Sequence, residues 1–361
     1  MVRLLHTADW QMGMKLSGFG EKSERIRDER IAAARRVIAT AREHETDFIL
    51  VAGDLFEDNA VDRSLVQKVA DVLGSAHCPV YVVPGNHDPL VPGSVWEHRS
   101  WKAASNVTIM TESAPFELPQ ASIFPCPLRE KNSSQDPTAW IHAENDGRVR
   151  IGVAHGSVEG APIGEWDHPI PRNAATRSGL EYLALGHWHS FGVIGDSRTA
   201  YSGTHEQTAF GERDSGNVLI VDIEGPGRPP VVTPVRTGGL EWASFDERIA
   251  SPEDLRALRA RVEALGDTDR TLLFVRLSGY LTPAGREEME HISNIATSRF
   301  LWNRIDDSEL APAPGDDLWI EELPPGVLRE VARRIRDSGE AREVRMRALV
   351  ELYALVAEAN G

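Results

Sequence analysis

An apolar run that ends in a polar loop, residues 79–88, constrains the fold of this chain more than any other segment. Residues 79–83 are Pro-Val-Tyr-Val-Val, and a Pro-Gly turn then leads into Asn86-His87-Asp88. This pattern predicts a buried strand that delivers a polar loop at its carboxyl end. A loop held by such a strand can place an amide oxygen and an imidazole with little freedom, which metal-assisted chemistry requires.

Four other strand-to-loop junctions end in the same way, after the apolar runs at 3–6, 47–52, 149–154 and 182–185. The polar residues that follow the five runs are all Asp, Asn, Gln or His: Asp9, Gln11, Asp54, Asn86, His87, His155, His187 and His189. Mixed nitrogen and oxygen ligands without cysteine suit Mn²⁺, Fe or Zn²⁺ better than Cu(I) or a structural zinc. The sequence therefore predicts a metal site at the strand ends.

The spacing within this set points toward phosphoryl chemistry. In the segment His187-Trp188-His189, an extended backbone would direct both imidazoles to one side, because the side-chain period of a strand is two. One carboxylate can bridge two cations about 3.5–4 Å apart, which is the separation used in two-metal phosphoryl transfer.

The order of the elements predicts an α/β fold. Helical periodicity at 21–45 and at 60–76 separates the first three strands, which is typical of a layered α/β sheet. After Trp101, short apolar runs at 107–110, 121–125, 149–154, 182–185, 193–194, 199–202 and 218–223 predict a second sheet packed on the first. Residues 225–230, rich in Pro and Gly, predict a hairpin or a boundary.

Composition bounds the class of protein. The chain has 361 residues with 41% hydrophobic and 26% charged residues, as in a globular protein of two or three domains. No apolar stretch approaches the ~20 residues that span a bilayer. The two cysteines form no disulfide framework, and the first residues lack a signal-peptide core, so we expect a cytoplasmic protein without a membrane partner. The net charge of −16 means that any nucleic acid must bind through metal ions and local basic patches.

At this point the sequence resembles a known family. The motifs Asp9-x-Gln11, Gly53-Asp54, Gly85-Asn86-His87-Asp88, Ala154-His155-Gly156 and Gly186-His187-x-His189 occur in the order found in the calcineurin-like metallophosphoesterases. Residues 5–10 (Leu-His-Thr-Ala-Asp-Trp) and 200–204 (Ala-Tyr-Ser-Gly-Thr) resemble the SbcD-type DNA repair exonuclease branch. The resemblance covers roughly residues 1–240 and is vaguer beyond them.

The resemblance implies a two-sheet αββα sandwich with a small α/β capping domain and a C-terminal helical pair. We expect a nuclease domain at 1–240, a capping domain at 241–310, a linker at 311–323 and C-terminal helices at 324–361. The cap carries no base-reading motif, so we expect backbone contact that is independent of sequence. The C-terminal helices either dock on the coiled coil of an SbcC-type ATPase or fold back on their own domain.

The resemblance also implies the roles of the site residues. Asp54 would bridge two divalent metal ions, most readily Mn²⁺. Asn86, His155 and His187 would complete one site, and Asp9, Gln11 and His189 the other. His87 would not be a ligand but would act at the scissile phosphate, stabilising charge and helping to protonate the leaving oxygen.

One position departs from the family pattern, because Gln11 stands where the family has His. A neutral amide oxygen is a harder and weaker ligand than imidazole. Three outcomes remain open: Gln11 coordinates a hard ion such as Mn²⁺, it leaves a weakly filled site, or the site is inactive and the protein only binds DNA. We hypothesise a working enzyme with a high metal requirement, because the other ligands are intact.

Other residues carry weaker predictions. Trp10, Asp88, Trp188 and His205 are candidates for substrate contact, although core packing is an alternative for both tryptophans. His6 is expected in the core, and His168 on the surface.

The leading interpretation is a Mn²⁺-dependent DNA nuclease in double-strand-break repair, nucleoid-associated and homodimeric as the resemblance implies. It would act as an exonuclease on duplex ends and as an endonuclease on single strands or hairpins. The alternatives are a small-nucleotide phosphodiesterase, and a non-catalytic DNA-end-binding subunit with a weakened metal site.

Overall fold

The computed structural model describes residues 1–160, 167–266, 268–313 and 316–360. Within them the strands are β1 Val2–Thr7, β2 Phe48–Ala52, β3 Val80–Val83, β4 Val107–Ile109, β5 Phe116–Glu117, β6 Ala121–Pro125, β7 Val149–His155, β8 Tyr182–Gly186, β9 Gly192–Ile194, β10 Thr199–Tyr201, β11 Asn217–Ile223, β12 Val231–Arg236, β13 Glu241–Ile249, β14 Thr271–Leu281 and β15 Trp302–Pro312.

The α-helices of the same residues range from single turns to the 21-residue helix that follows β1. They are α1 Ser23–Glu43, α2 Arg63–Gly74, α3 Ser100–Ala103, α4 Ala174–Arg177, α5 Pro252–Glu263, α6 Pro283–Arg299, α7 Leu318–Glu322, α8 Val327–Arg336 and α9 Arg342–Asn360. The Asp62 side chain caps α2 by accepting a hydrogen bond from the Ser64 amide.

The chain divides into two compact units, Met1–Leu240 and the residues from Glu241 onward. The first unit contains two six-stranded sheets, with strand orders β12-β11-β1-β2-β3-β4 and β5-β6-β7-β8-β10-β9. Strands β1, β2, β3 and β4 run parallel to one another, and so do β6, β7 and β8. Their carboxyl ends therefore meet at one edge of each sheet, where ligands bind in open α/β sheets.

Three apolar layers hold the first unit together. Inward side chains of both sheets, including Leu4, Leu50 and Val153, form the middle layer. Helices α1 and α2 cover the outer face of the first sheet with residues such as Val37 and Val69. A third layer around Leu183 covers the outer face of the second sheet. The predicted two-sheet α/β sandwich is confirmed.

The second unit contains a three-stranded parallel sheet in the order β13-β14-β15. Helices α5 and α6 cover one face of this sheet through Leu255, Leu258 and Ile292. A capping box begins α5. The Ser251 side chain accepts a hydrogen bond from the backbone N–H of Asp254, and the Asp254 side chain accepts one from the backbone N–H of Ser251. Helices α7, α8 and α9 share a separate small core around Ile320 and Leu349.

The predicted linker at 311–323 is wrong for the residues that the structure describes. Ala311 and Pro312 belong to β15, and Leu318–Glu322 forms α7. Pro can end a strand at an edge, so the Pro-rich composition of this segment did not exclude pairing. Pro314 and Gly315 lie outside the described residues.

Candidate metal centre

The carboxyl ends of strands from both sheets bring the predicted ligands together. Asp9 follows β1, Asp54 follows β2, and Asn86 follows β3 in the first sheet. His155 is the last residue of β7, and His187 follows β8 in the second sheet. The ring of His155 reaches across to the first sheet, where its Nδ1 lies 2.9 Å from the carbonyl oxygen of Ala52.

Three of these side chains form a compact, buried group. One ligand atom each from Asp9, Asp54 and His155 lie within 4.8 Å of one another. The Nε2 atom of His155 is 3.4 Å from Asp54 Oδ2, and its Nδ1 is 4.0 Å from Asp9 Oδ1. Asp9 and His155 are fully buried, and Asp54 is 2% exposed.

The amide oxygen of Asn86 gathers two imidazoles at one point. It lies 2.8 Å from His155 Nε2 and 3.2 Å from His187 Nδ1. The two rings stand edge to face, with centroids 5.2 Å apart. An amide oxygen, two imidazole nitrogens and the Asp54 carboxylate therefore surround one small volume, and this donor set suits a divalent cation.

The electrostatics of the group favour a bound cation. Burial raises the pKa of Asp9. Burial also opposes the ionisation of Asp54, but the charge of His155 and its hydrogen bond lower the pKa of Asp54 below its usual range. Burial opposes a charged His155 as well, yet the Asp54 and Asp9 carboxylates raise the pKa of His155. Two carboxylates in a buried site share one imidazolium, so a divalent ion would fit their excess negative charge.

Each imidazole is fixed through its other nitrogen, as in metal centres whose outer hydrogen bonds orient the ligands. For His155 the partner of Nδ1 is the Ala52 carbonyl, and Nε2 therefore faces Asp54. For His187 it is Asp167, whose Oδ1 is 2.9 Å from Nε2 and whose Oδ2 accepts from Ser157 at 2.6 Å.

His189 is oriented by two residues of the loop after β10. Its Nδ1 lies 2.9 Å from both Thr208 Oγ1 and Glu212 Oε1, so Nε2 remains as the ligand atom. Asp167, Thr208 and Glu212 were not predicted. Asp167 and Glu212 lie in loops rather than at strand ends, and their types carry no signal by themselves.

Gln11 contacts the centre, but through its amide nitrogen. Its Nε2 donates to Asp54 Oδ2 at 3.0 Å, and the residue is 4% exposed. Ligation by Gln11 would require the amide to turn its oxygen toward the ion and to give up this hydrogen bond.

Two glycines allow the loops to approach one another closely. A Cβ atom at Gly85 would lie 2.2 Å from Asp54 Oδ1, and one at Gly53 would lie 2.3 Å from His155 Nδ1. Gly53 also has a φ of +86°, which L side chains rarely adopt. Any side chain at either position would displace a ligand.

His87 stands beside the group without joining it. Its backbone amide donates to Asp54 Oδ1 at 2.9 Å, and its Nδ1 lies 2.9 Å from the Glu57 carbonyl oxygen. The side chain is half-buried. Because a carbonyl can only accept, Nδ1 carries the proton and Nε2 is left for a substrate.

Three of the four residues that were candidates for substrate contact are buried, so the prediction is wrong for them. Trp10 and His205 are fully buried and stacked on each other, with ring centroids 4.9 Å apart. Asp88 is fully buried and accepts from the amides of Phe56 and Gly85, so it holds the loop. Trp188 is 43% exposed and remains a candidate for substrate contact.

The two histidines predicted outside the metal set had different outcomes. His6 is in the core as expected, with its Nδ1 2.8 Å from the Tyr182 hydroxyl. The prediction that His168 lies on the surface is wrong: it is 3% exposed, its backbone lies close to Gly156, and its Nε2 lies 3.3 Å from the Lys131 carbonyl oxygen.

Comparison with known proteins agrees with this geometry. The family model for calcineurin-like phosphoesterases matches residues 2–191, which is more than half of the chain. The chain belongs to the calcineurin-like phosphoesterase family. Members use divalent metal ions to hydrolyse phosphoesters, and the Asp9, Asp54 and His155 group fits that chemistry.

Individual proteins resemble the chain at low sequence identity. An uncharacterised metallophosphoesterase of Bacillus subtilis, YhaO, is 29% identical over 235 residues, which cover 60% of this chain and 56% of YhaO. The chain therefore matches little more than half the length of that relative. The crystal structure of TT1561 of Thermus thermophilus has 12% identity and a TM-score of 0.42, covering 65% of this chain and 99% of that protein.

Among the residues that the structure describes, no helix combines the length and the apolar character that crossing a bilayer requires.

Proposed function

We propose that this family member is a Mn²⁺-dependent DNA nuclease of the SbcD type, which hydrolyses phosphodiesters in double-strand-break repair. The observation that carries the proposal is the convergence of Asp54, Asn86 and His155 with Asp9 on one buried volume. The choice of DNA is supported by the SbcD-like motifs at 5–10 and 200–204. It is also supported by the second unit, because hydrolysis of a small nucleotide would not need one.

The chain offers ligands for two metal ions that share Asp54. Asn86, His155 and His187 would hold one ion, and Asp9, Gln11 and His189 the other. When bound, two divalent cations would supply an acidified water and neutralise phosphate charge. Mn²⁺ suits this mixture of carboxylate, amide and imidazole donors.

His87 is the residue that we assign to the proton on the leaving oxygen. The hydrogen bond from its ring to the Glu57 carbonyl fixes the ring. The hydrogen bond from its backbone N–H to the Asp54 carboxylate joins the residue to the metal ligands. As an imidazolium, with a second proton on Nε2, His87 can stabilise charge on the phosphate and donate that proton to the leaving oxygen.

A small-nucleotide phosphodiesterase is the second candidate, and one observation is compatible with it. A cavity of about 180 Å³ beside the centre is lined by Ser157, Arg172, Trp188 and Tyr201, among others. The indole of Trp188 and the guanidinium of Arg172 are groups that stack on nucleobases. A cavity of this size suits a single nucleobase, which either a small nucleotide or the end of a DNA strand would supply.

The test is cleavage of an end-labelled DNA duplex and of bis-p-nitrophenyl phosphate across a Mn²⁺ titration. The wild type, His87→Ala and Gln11→His would be compared, with His77→Ala as a control because His77 is exposed after α2. We expect duplex digestion by the wild type and the control, about a hundredfold slower digestion by His87→Ala, and a lower Mn²⁺ requirement for Gln11→His.

Two results would redirect the proposal. Cleavage of the small diester without cleavage or binding of the duplex would favour the small-nucleotide enzyme. Activity of Gln11→His with no activity of the wild type at millimolar Mn²⁺ would identify a binding subunit with a weakened metal site.

The C-terminal helices support the further proposal of an SbcC-type ATPase partner. Val327, Leu328 and Val331 on α8 are 79%, 50% and 38% exposed, and exposed apolar patches often mark binding surfaces. Deletion of residues 324–361 should leave Mn²⁺-dependent cleavage intact and abolish co-purification with the ATPase. Loss of soluble protein on deletion would instead show that the helices stabilise their own unit.

A further inference from the structure

The loop that carries Asp9 and Gln11 has an unusual backbone. Asp9 has a φ of +53° and Gln11 a φ of +46°, so two non-glycine residues in the left-handed region flank Trp10. Residues other than glycine rarely adopt this conformation, and it persists only where the surroundings hold it. Trp10 itself is the residue through which this loop is held.

Arg30 of α1 supplies part of that hold. Its guanidinium, 2% exposed, donates from Nη2 to the Trp10 carbonyl oxygen at 2.5 Å. Its Nη1 donates to the carbonyl oxygens of Glu206 at 3.1 Å and Gln207 at 3.0 Å. A buried guanidinium is costly unless its donors are used, and these three acceptors all belong to loops around the metal centre.

The second loop held by Arg30 orients another predicted ligand. Gln207 precedes Thr208, and Thr208 Oγ1 lies 2.9 Å from His189 Nδ1. Arg30 therefore connects the loop of Asp9 and Gln11 to the loop that fixes the ring of His189. Asp9, Gln11 and His189 are the residues that we assign to one metal ion.

An aromatic stack completes the connection. The Trp10 ring stacks on His205 at an interplanar angle of 29°, and Trp10 Nε1 donates to Thr7 Oγ1 at 2.8 Å. His205 Nε2 lies 3.0 Å from the Arg30 carbonyl oxygen, so the imidazole donates back to α1. Trp10 and His205 are therefore buried residues that support the loop, and they do not contact a substrate.

We propose that Arg30 is a positioning residue that holds the Asp9, Gln11 and His189 half of the metal centre. This inference rests on the proposed two-metal function. The other half, with Asn86, His155 and His187, has its own fixed contacts to Ala52 and Asp167 and should not depend on Arg30.

The experiment is a calorimetric Mn²⁺ titration of the metal-free full chain as wild type, Arg30→Met, Arg30→Lys and Arg36→Met. Arg36 is the matched control, because it also joins α1 to a carbonyl, that of Thr237 at 2.5 Å. It does not contact Trp10, and it reaches the second loop only through a 3.6 Å ion pair with the Glu206 carboxylate. We expect Arg30→Met to weaken one of two Mn²⁺ sites by about tenfold or more and leave the other within twofold. Arg30→Lys should recover part of the loss, and Arg36→Met should retain both affinities.

Circular dichroism would establish that each variant is folded. Unchanged affinity of both sites in folded Arg30→Met would overturn the proposal, as would equal weakening of both sites. If Arg30→Met does not fold, Arg30→Lys decides the question, because it keeps the charge but loses the forked geometry. Two unchanged Mn²⁺ affinities in Arg30→Lys would then refute the role of Arg30.

A wild type that binds no Mn²⁺ overturns the metal centre and this inference together. A wild type that binds two Mn²⁺ ions but cuts no DNA overturns only the nuclease proposal.

Discussion

The buried imidazole of His6 gives a quantitative prediction about pH and stability. His6 lies on β1 between the two sheets, fully buried, against the Tyr182 ring and hydroxyl. Burial lowers the pKa of His6 to about 3 from its usual 6.5. Folding must then exclude a proton that the unfolded chain binds, so this group favours the folded state above pH 6.5 and loses that contribution as pH falls toward 3.

The size of the effect follows from the unfolded state. Between pH 8.0 and pH 5.5, protonation of an ordinary imidazole stabilises the unfolded chain by about 1.4 kcal/mol, because the folded state remains unprotonated over this interval. The result is insensitive to the folded pKa as long as it lies well below 5.5. His6→Gln removes the titration and retains a hydrogen-bonding side chain.

The assay is equilibrium urea unfolding of metal-free protein at both pH values, for the wild type and His6→Gln. The free energy of unfolding of the wild type should fall by about 1.4 kcal/mol more than that of the variant. His77→Gln serves as an exposed control and should change in parallel with the wild type. Parallel changes of wild type and His6→Gln would refute the reasoning, because His6 would then titrate alike in both states.

Three further predictions concern the first unit. Glu181→Gln should lower the free energy of unfolding by about 3 kcal/mol in urea denaturation, because Glu181 is 1% exposed and pairs with the mostly buried Arg150. Glu117→Gln, at the exposed pair with Arg148, should cost much less, and equal losses would contradict this reasoning. Gly85→Ala should fold yet bind Mn²⁺ at least about tenfold more weakly by calorimetry, since its Cβ would lie 2.2 Å from Asp54 Oδ1; unchanged affinity would contradict the geometry. Trp188→Ala should raise KM for DNA severalfold with Mn²⁺ affinity unchanged, and a loss of Mn²⁺ affinity would show that the exposed indole supports the ligands instead.

Much of the first unit was predictable because its buried strands are short apolar runs. The run at 121–125 coincides with β6, and the predicted helix at 21–45 contains α1. Strand β12 was not predicted, because it is an edge strand with mostly exposed residues and a central Pro. In the second unit, β13 was missed because charged residues interrupt its alternation.

The metal set was predictable for a different reason, since ligands at strand ends are tied to the sheet edge. The loops between them were not. Trp10 and His205 looked like residues near a substrate, but their position depends on packing against α1, which is distant in sequence from His205. Asp167 and Glu212 likewise reach His187 and His189 only through tertiary contacts that no local pattern contains.

The most direct test of the metal centre is anomalous diffraction at the manganese edge from crystals soaked in Mn²⁺. We expect an anomalous peak within about 2.0–2.6 Å of ligand atoms of Asp54 and His155, and a second, weaker peak beside Asp9 and His189. The weaker peak should strengthen in Gln11→His crystals. Absence of any peak among Asp9, Asp54 and His155 at millimolar Mn²⁺ would contradict the account.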